Sequence, residues 1–539
     1  MRKLIALVLL LCFLLTGCGL VDRVKEFFGP TNDIGGMGGP SADGENDSSD
    51  TGDNGDQSGS TDTDKECTSH RDVDDNGLCD VCSESVIVIV DVYAINDLHG
   101  KIVKSDSQPG ISGLTTYLKN VSDDNTVLLS TGDMWQGTSE SNLTHGALLT
   151  DWMSELGFVS MTLGNHEYDW GDEYIYSNLE NTDFPFLAIN VYERDTNERA
   201  DYATPSVIVS RGGIEIGIIG AIGDCYSSIS GEVVGGFYFK VGDELTELVK
   251  AEADRLRSLG VEFIVYSIHD GYGQSSSGKK AVSDSALSSY YDIELSDGYV
   301  DLVFEAHTHQ SYVLYDTKGV YHIQGGGENS GLSHAKLKYN TANENRNVLS
   351  PEVVRSGVYT NLSADPLVDE LLSRYADEIA PAYRVVGNNP SYMSSTAIKQ
   401  LVAKLYYEAG VEKCGKEYDI VLGGGFISAR SPYNLYAGTV TYSDLYSILP
   451  FDNQIVLCSI SGRDLYSKFL TTSNKNYYIY GDDLTYLEYN IDLNARYYVV
   501  TDTYSSTYVY NRLTEVARYD VNVYARDLVA MYFERRENE

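Results

Sequence analysis

Beyond residue 85 the chain alternates short apolar runs with amphipathic stretches. Residues 86–95, 126–130, 186–190, 214–219, 261–268 and 300–304 have the length and apolar character of buried strands. Residues 113–120 and 245–259 carry apolar positions at helical spacing between some of them. The alternation predicts a layered α/β domain over 85–345. Within a linker at 346–389, Leu367, Leu371, Leu372 and Tyr375 form one apolar stripe and predict a single connecting helix over 365–383. A second, smaller α/β or α+β unit is predicted for 390–539.

The opening residues have a different pattern. Arg2 and Lys3 precede an apolar run at 4–15 that is too short to span a membrane, and Leu15-Thr16-Gly17-Cys18 follows. Residues 1–18 resemble a bacterial lipoprotein signal. This implies export, lipidation of Cys18 and anchoring on the outer face of the bacterial cell membrane; an ordinary signal peptide with an incidental cysteine is the alternative. Residues 20–28 have helical apolar spacing that suits a membrane surface or a frayed helix. Residues 31–66 then hold ten acids against the single Lys65 and cannot bury a core. Residues 19–66 therefore read as an acidic, self-repelling tether.

At 67–84, Cys67, His70, Cys79 and Cys82 have the spacing of a small zinc site. Asp72, Asp74, Asn76, Gly77 and Asp80 partly match a calcium loop, but Ser83 stands where a bidentate glutamate is expected. A disulfide-stapled or unstructured spacer is the third alternative.

The net charge of -40 excludes unaided binding to a nucleic-acid backbone, which rests on clustered Lys and Arg. It also obliges any anionic substrate to meet locally placed cations. The candidate ligands supply a place for them, since nearly all follow an apolar run. Asp97 and His99 come after Ile95, Asp133 after LLSTG, and Asn165 and His166 after MTLG. His269 ends VYSIH, and His307 and His309 follow VFEA. Strand ends converge in one crevice. Imidazole with carboxylate suits zinc, manganese or iron better than calcium. Seven such groups exceed what one catalytic ion needs, so two ions bridged by Asp133 is the economical assignment. Two ions about 3.5–4 Å apart can hold a hydroxide and clamp an in-line displacement at phosphorus. His145, His322 and His334 lie outside this set and read as surface or core histidines. Cys225, Cys414 and Cys458 read as buried thiols.

The strings AINDLHG, STGDMWQG, LGNHEYDWG, SIHDG and AHTHQ, in this order, resemble the calcineurin-like metallophosphoesterases and, within them, the 5'-nucleotidases. The resemblance implies a layered β-sandwich flanked by helices, joined by a helix to a C-terminal α/β substrate domain. It implies one ion on Asp97, His99, Asp133 and His309 and another on Asp133, Asn165, His269 and His307. Gly132 and Gly164 would allow the turns that bring these ligands in. His166 and Asp169 would form a catalytic dyad over the phosphoryl group. The family usually has glycine where Ala306 precedes the paired histidines.

DIVLGGG at 419–425 and the segment 441–465 resemble the substrate domain of the same family. Gly424 and Gly425 would offer backbone N–H groups to an anion, and Phe451 would stack on a base with Asn453 as a polar contact. Arg430 stands several residues beyond the family's usual arginine and would serve as phosphate ligand. Tyr504 matches a second stacking aromatic, while Tyr510 replaces an acid that contacts the sugar or base. The activity implied is hydrolysis of nucleotide phosphate esters. These departures leave three other readings open: nucleotide-sugar hydrolysis, cyclic-nucleotide or pyrophosphate cleavage on the same metals, and nucleotide binding without turnover.

Overall fold

The computed structural model describes residues 67, 69–104, 110–229, 235–272, 279–281, 293–427, 434–471, 477–509, 513–518 and 523–537. The signal, Cys18, the acidic tether, Arg430 and Tyr510 lie outside them. Among the described residues, no helix is long and apolar enough to cross a membrane.

Two sheets pack face to face. The first has six strands in the order Arg346–Arg355, Gly331–Asn340, Ile87–Ile95, Thr126–Ser130, Ser160–Thr162, Phe186–Leu187. The second has seven: Lys279–Ala281, Ser311–Tyr315, Tyr321–Gly325, Leu302–Phe304, Phe263–His269, Ile214–Ile222, Ser206–Arg211. Alternation along the strands explains the layering. In Ile87–Ile95, the side chains of Val90, Val92 and Ala94 meet Ile216, Ile218, Phe263 and Phe304 of the other sheet. Tyr93 and Ile95, on the opposite face, join a core with Leu114, Leu118 and Trp152 of helices Ser112–Val121 and Ala147–Glu155. Helix Asp243–Ser258 covers the outer face of the second sheet through Leu245, Val249 and Leu256.

The pattern-based expectations fail in three places. The first sheet runs ten residues past 345, because Arg346–Arg355 is an edge strand that is mostly exposed and carries no apolar run. The strand expected at 186–190 stops at Leu187. Ile189 N donates to Gly220 O at 2.8 Å, and Asn190 Oδ1 accepts from Ile222 N at 3.0 Å, so this segment crosses to the second sheet. The single connecting helix is broken into Pro366–Arg374, Ala376–Ile379 and a 3-10 turn, Ala380–Tyr383, that contains Pro381. Leu367, Val368 and Leu371 of its first piece are buried in the core of the first part of the chain.

The C-terminal part has a five-stranded sheet in the order Tyr477–Tyr480, Ile420–Phe426, Arg496–Asp502, Ile455–Ser461, Thr514–Arg518. Helix Ser395–Cys414 packs on it, N-capped by Ser394, whose Oγ accepts from Ala397 N at 3.3 Å.

His322, which the sequence leaves open as a surface or a core histidine, is fully buried between two acids. Its Nδ1 lies 2.8 Å from Glu305 Oε1 and its Nε2 3.2 Å from Asp316 Oδ2, while Tyr312 OH donates to Glu305. Burial pushes the imidazole down, but Asp316 and Glu305 outweigh burial and raise it from 6.5 to about 9. The stabilisation is complete below the unfolded value and is lost as pH rises through about 9. His322→Gln should cost about 3–5 kcal/mol at pH 6 by stranding two buried carboxylates. Urea unfolding at pH 6 and pH 10 should show the gap to wild type narrowing at the higher pH.

Candidate metal centre

Strands of both sheets end at the same place, and the turns beyond them are unusual. Asp97, His99, Asp133, His307 and His309 all have positive φ, between 48° and 64°. Few non-glycine residues adopt this conformation, and such concentrated backbone strain marks functional loops. It turns five side chains from three short loops toward one point. Ala306 is not among the positive-φ residues, so its methyl group adds no strain of this kind.

The side chains gather in three overlapping groups: Asp97, His99 and His309; His99, Asp133 and His166; and Asp133, His269 and His307. His99 Nε2 is 3.0 Å from His309 Nε2, and His309 Nε2 is 3.3 Å from Asp97 Oδ1. His269 Nε2 is 3.2 Å and His99 Nε2 is 3.9 Å from Asp133 Oδ2, which places Asp133 between the groups. Carbonyl oxygens fix two of the imidazoles. His99 Nδ1 donates to Gln136 O at 3.0 Å and His269 Nδ1 to Thr131 O at 2.8 Å, so in each ring Nε2 is the nitrogen left to bind a cation.

The donor set fits a divalent metal. Asn165 is fully buried with neither side-chain atom hydrogen-bonded. Such orphaned polar atoms are costly unless something else satisfies them. Nitrogen ligands about 2.1 Å from one ion and at right angles lie about 3.0 Å apart, as His99 and His309 do. The electrostatics agree. Burial alone would raise the Asp133 carboxyl, but His269, His166 and His99 hold it well below the ordinary carboxylate range. Burial would depress His269, yet Asp133 and Asp97 lift it to about 10. Without cations, the buried carboxylates draw a proton onto an imidazole instead.

His166 Nδ1 lies 2.7 Å from Asp169 Oδ2, and the His166 ring centroid is 5.2 Å from that of His99. Its backbone N–H donates to Asp133 Oδ1 at 2.8 Å. Gly132 takes φ +91°, and an added Cβ there would lie 2.6 Å from Gly164 N. Gly164 has an extended φ of -101°, so space rather than conformation demands glycine: a Cβ would lie 2.4 Å from Asp133 Oδ1.

Residue-type reasoning missed Glu167. Fully buried, it accepts from Asp133 N, Met134 N and Gly164 N, each at 2.8 Å, and so ties the Asp133 loop to the Asn165 loop. Burial and neighbouring Asp133 raise its carboxyl to about 7. Its signal was its place inside the NHEYD string, next to a ligand.

The C-terminal part meets this centre through its loop at 449–454. Pro450 O accepts from Gln136 Nε2 at 3.1 Å and from Asn142 Nδ2 at 2.9 Å. The Phe451 ring lies 5.6 Å from His166, with 31° between the planes. Arg526, also unforeseen, is buried over the Tyr446 ring; it donates to Phe451 O at 3.1 Å and to Asp452, holding the loop. Asn453 O accepts from Ala525 N at 3.1 Å in the same contact. Tyr504 pairs instead with Phe426, 6.1 Å away. The glycines expected to cradle an anion lie within strand Ile420–Phe426, where Gly424 pairs with Ile479 and Gly425 with Tyr478. A Cβ on Gly424 would lie 2.1 Å from Tyr478 O, so tight strand packing accounts for that glycine.

Two packed sheets with histidines and carboxylates at their converging strand ends, followed by a smaller α/β part, define a metallophosphoesterase. Residues 90–311 match the calcineurin-like phosphoesterase model and residues 379–525 the 5'-nucleotidase C-terminal domain model. The chain thus carries both a calcineurin-like phosphoesterase domain and a 5'-nucleotidase C-terminal domain. A 5'-nucleotidase of Vibrio parahaemolyticus is 21% identical over 422 residues, covering 69% of this chain and 73% of that protein. Endonuclease YhcR of Bacillus subtilis is 25% identical over 419 residues, 69% of this chain, and a snake venom 5'-nucleotidase of Naja atra is 32% identical over 180 residues, 32% of this chain. The chain spans only 32% and 33% of the length of these last two proteins. The crystal structure of a 5'-nucleotidase precursor from Thermus thermophilus shares the fold, with a TM-score of 0.61 at 18% identity over 83% of this chain and 97% of that one.

Proposed function

We propose that this chain hydrolyses phosphate esters of nucleotides at the histidine and carboxylate cluster. The observation that carries the proposal is the convergence of Asp97, His99, Asp133, His269, His307 and His309 from the ends of both sheets, five of them in left-handed backbone conformations, with Asn165 buried next to His166 in the chain. Asp97, His99, Asp133 and His309 would hold one divalent ion, and Asp133, Asn165, His269 and His307 the other, of the zinc, manganese or iron class. Such ions supply Lewis-acid stabilisation of phosphoryl charge and activate the attacking water. Asp169 takes the Nδ1 proton of His166 in a hydrogen bond and so sets the ring's tautomer and orientation. As an imidazolium the ring carries a second N–H on Nε2, which would hydrogen-bond the phosphoryl group or pass its proton to the leaving oxygen.

Phe451, held beside His166 by Arg526, gives the nucleoside an aromatic face to stack on, and Tyr504 with Phe426 supplies a second aromatic pair. Gly424, Gly425, Arg430 and Asn453 remain assigned to the substrate side. Nucleotide sugars belong to the same substrate class. The chain is exported and held at the membrane through lipidated Cys18, with residues 19–66 as tether, 85–345 with its added edge strand as catalytic domain and 390–539 as substrate domain.

Purified protein supplied with manganese or zinc should release phosphate from a panel of nucleoside monophosphates, nucleotide sugars and cyclic nucleotides. A chain that binds metal yet cleaves none of them would sink the proposal. On the best substrate, Phe451→Ala should raise KM about 5- to 150-fold, as loss of ~1–3 kcal/mol of base stacking requires, with little change for a simple aryl phosphate. Equal effects on both substrates would remove the stacking role.

A further inference from the structure

The segment 67–84 lies outside the catalytic cluster, and its four sulfur and nitrogen ligands face one another. Cys67 Sγ is 3.7 Å from Cys79 Sγ, and Cys82 Sγ is 3.5 Å from His70 Nδ1. All four ligand atoms lie within 4.8 Å of one another. A tetrahedral ion with sulfur at about 2.3 Å and nitrogen at about 2.0–2.1 Å places two sulfurs about 3.8 Å apart and sulfur and nitrogen about 3.5 Å apart. A disulfide would need sulfurs at about 2.0 Å, and all three thiols are free. The surroundings also suit a thiolate site. Val81 N donates to Cys79 Sγ at 3.5 Å, and Glu84 Oε2 lies 3.9 Å from the second nitrogen of His70.

Asp72, Asp74 and Asp80 also lie together, but the carboxylates of Asp72 and Asp80 are engaged by N–H donors of the loop and its neighbour. Asp72 Oδ1 accepts from Asn76 N at 3.1 Å, and Asp72 Oδ2 accepts from Gly77 N and Asn340 Nδ2, both at 2.8 Å. Asp80 Oδ2 accepts from Val73 N at 3.1 Å. These carboxylates shape the loop and dock it. Asn340 and Asn343, at the turn joining the last two strands of the first sheet, reach Asp75 Oδ1 at 3.0 and 3.1 Å, and Val86 N donates to Gly77 O at 3.0 Å.

We propose that Cys67, His70, Cys79 and Cys82 bind a structural zinc ion that locks the segment preceding strand Ile87–Ile95 onto the edge of the catalytic domain. Three thiolates and one imidazole form a closed set with no position for substrate, so the ion closes a loop and takes no part in hydrolysis. The soft sulfur donors select zinc over the calcium or magnesium that oxygen ligands favour.

The test uses the full chain, purified under reducing conditions. Metal analysis of wild type and of the Cys79→Ser, Cys82→Ser double variant should differ by one zinc per chain, with phosphate release unchanged. Exchange of wild type into cobalt should give thiolate-to-cobalt charge-transfer absorption, which the catalytic cluster, having no thiol, cannot produce. Should the variant not fold, the wild-type cobalt spectrum decides alone. Absence of that absorption, equal zinc content in both chains, or a Cys79 to Cys82 disulfide in the metal-loaded protein would overturn the proposal.

Discussion

Asp133→Asn should abolish phosphate release, lowering it by more than the ~10- to 100-fold that loss of an outer partner of a metal ligand costs. The carboxylate lies between the two groups of ligands, with Oδ2 3.2 Å from His269 and 3.9 Å from His99, while Oδ1 accepts the His166 N–H at 2.8 Å. An amide keeps the volume but loses the charge that both groups share. Metal content should fall with activity. Without metal, the His269 imidazole should titrate below its present value of about 10, because Asp133 is what lifts it against burial. Histidine ring shifts followed by NMR against pH would read this directly. A variant within tenfold of wild type in activity would remove Asp133 from the centre.

The ligand positions were legible because the chemistry sits at the ends of apolar runs, where a change from hydrophobic to polar residues marks both a strand end and a site. Six of the seven expected ligands fall in the clustered groups, and Asn165 is buried next to His166 in the chain; the packed sheets were anticipated through the family resemblance that these strings carry. Strands such as Arg346–Arg355 were not legible. An exposed edge strand needs only backbone pairing, so its side chains follow no apolar rule. Glu167 and Arg526 escaped for a related reason. Each is a buried charge whose partners are backbone groups or a distant loop, and sequence spacing records neither. The glycines of Ile420–Phe426 serve strand packing as well as the substrate role proposed for them. A glycine triplet at a strand end suggested an anion cradle, and at Gly424 the close approach of the Tyr478 carbonyl also explains the residue.

His166→Ala separates proton chemistry from metal binding. The ring is tied to Asp169 at 2.7 Å and lies beside His99 and Phe451, at the junction of the cluster and the substrate loop. Its removal should lower kcat on a nucleotide about 10²- to 10⁴-fold, the range for a positioned acid or base, while metal content stays at the wild-type level. The size of the loss should depend on the leaving group. A nucleoside alkoxide departs poorly unless it is protonated, whereas a nitrophenolate leaves without help. If Nε2 protonates the leaving oxygen, the loss on a nitrophenyl phosphate should be far smaller than on a nucleotide. Equal losses would assign His166 to stabilising the phosphoryl oxygens instead. Burial raises the Asp169 carboxyl while His166 holds it down, so the pair depends on each member. Asp169→Asn should therefore reproduce part of the His166→Ala defect, with KM little changed and the same dependence on leaving group. An Asp169→Asn variant that is fully active on nucleotides would show that the imidazole needs no orienting partner.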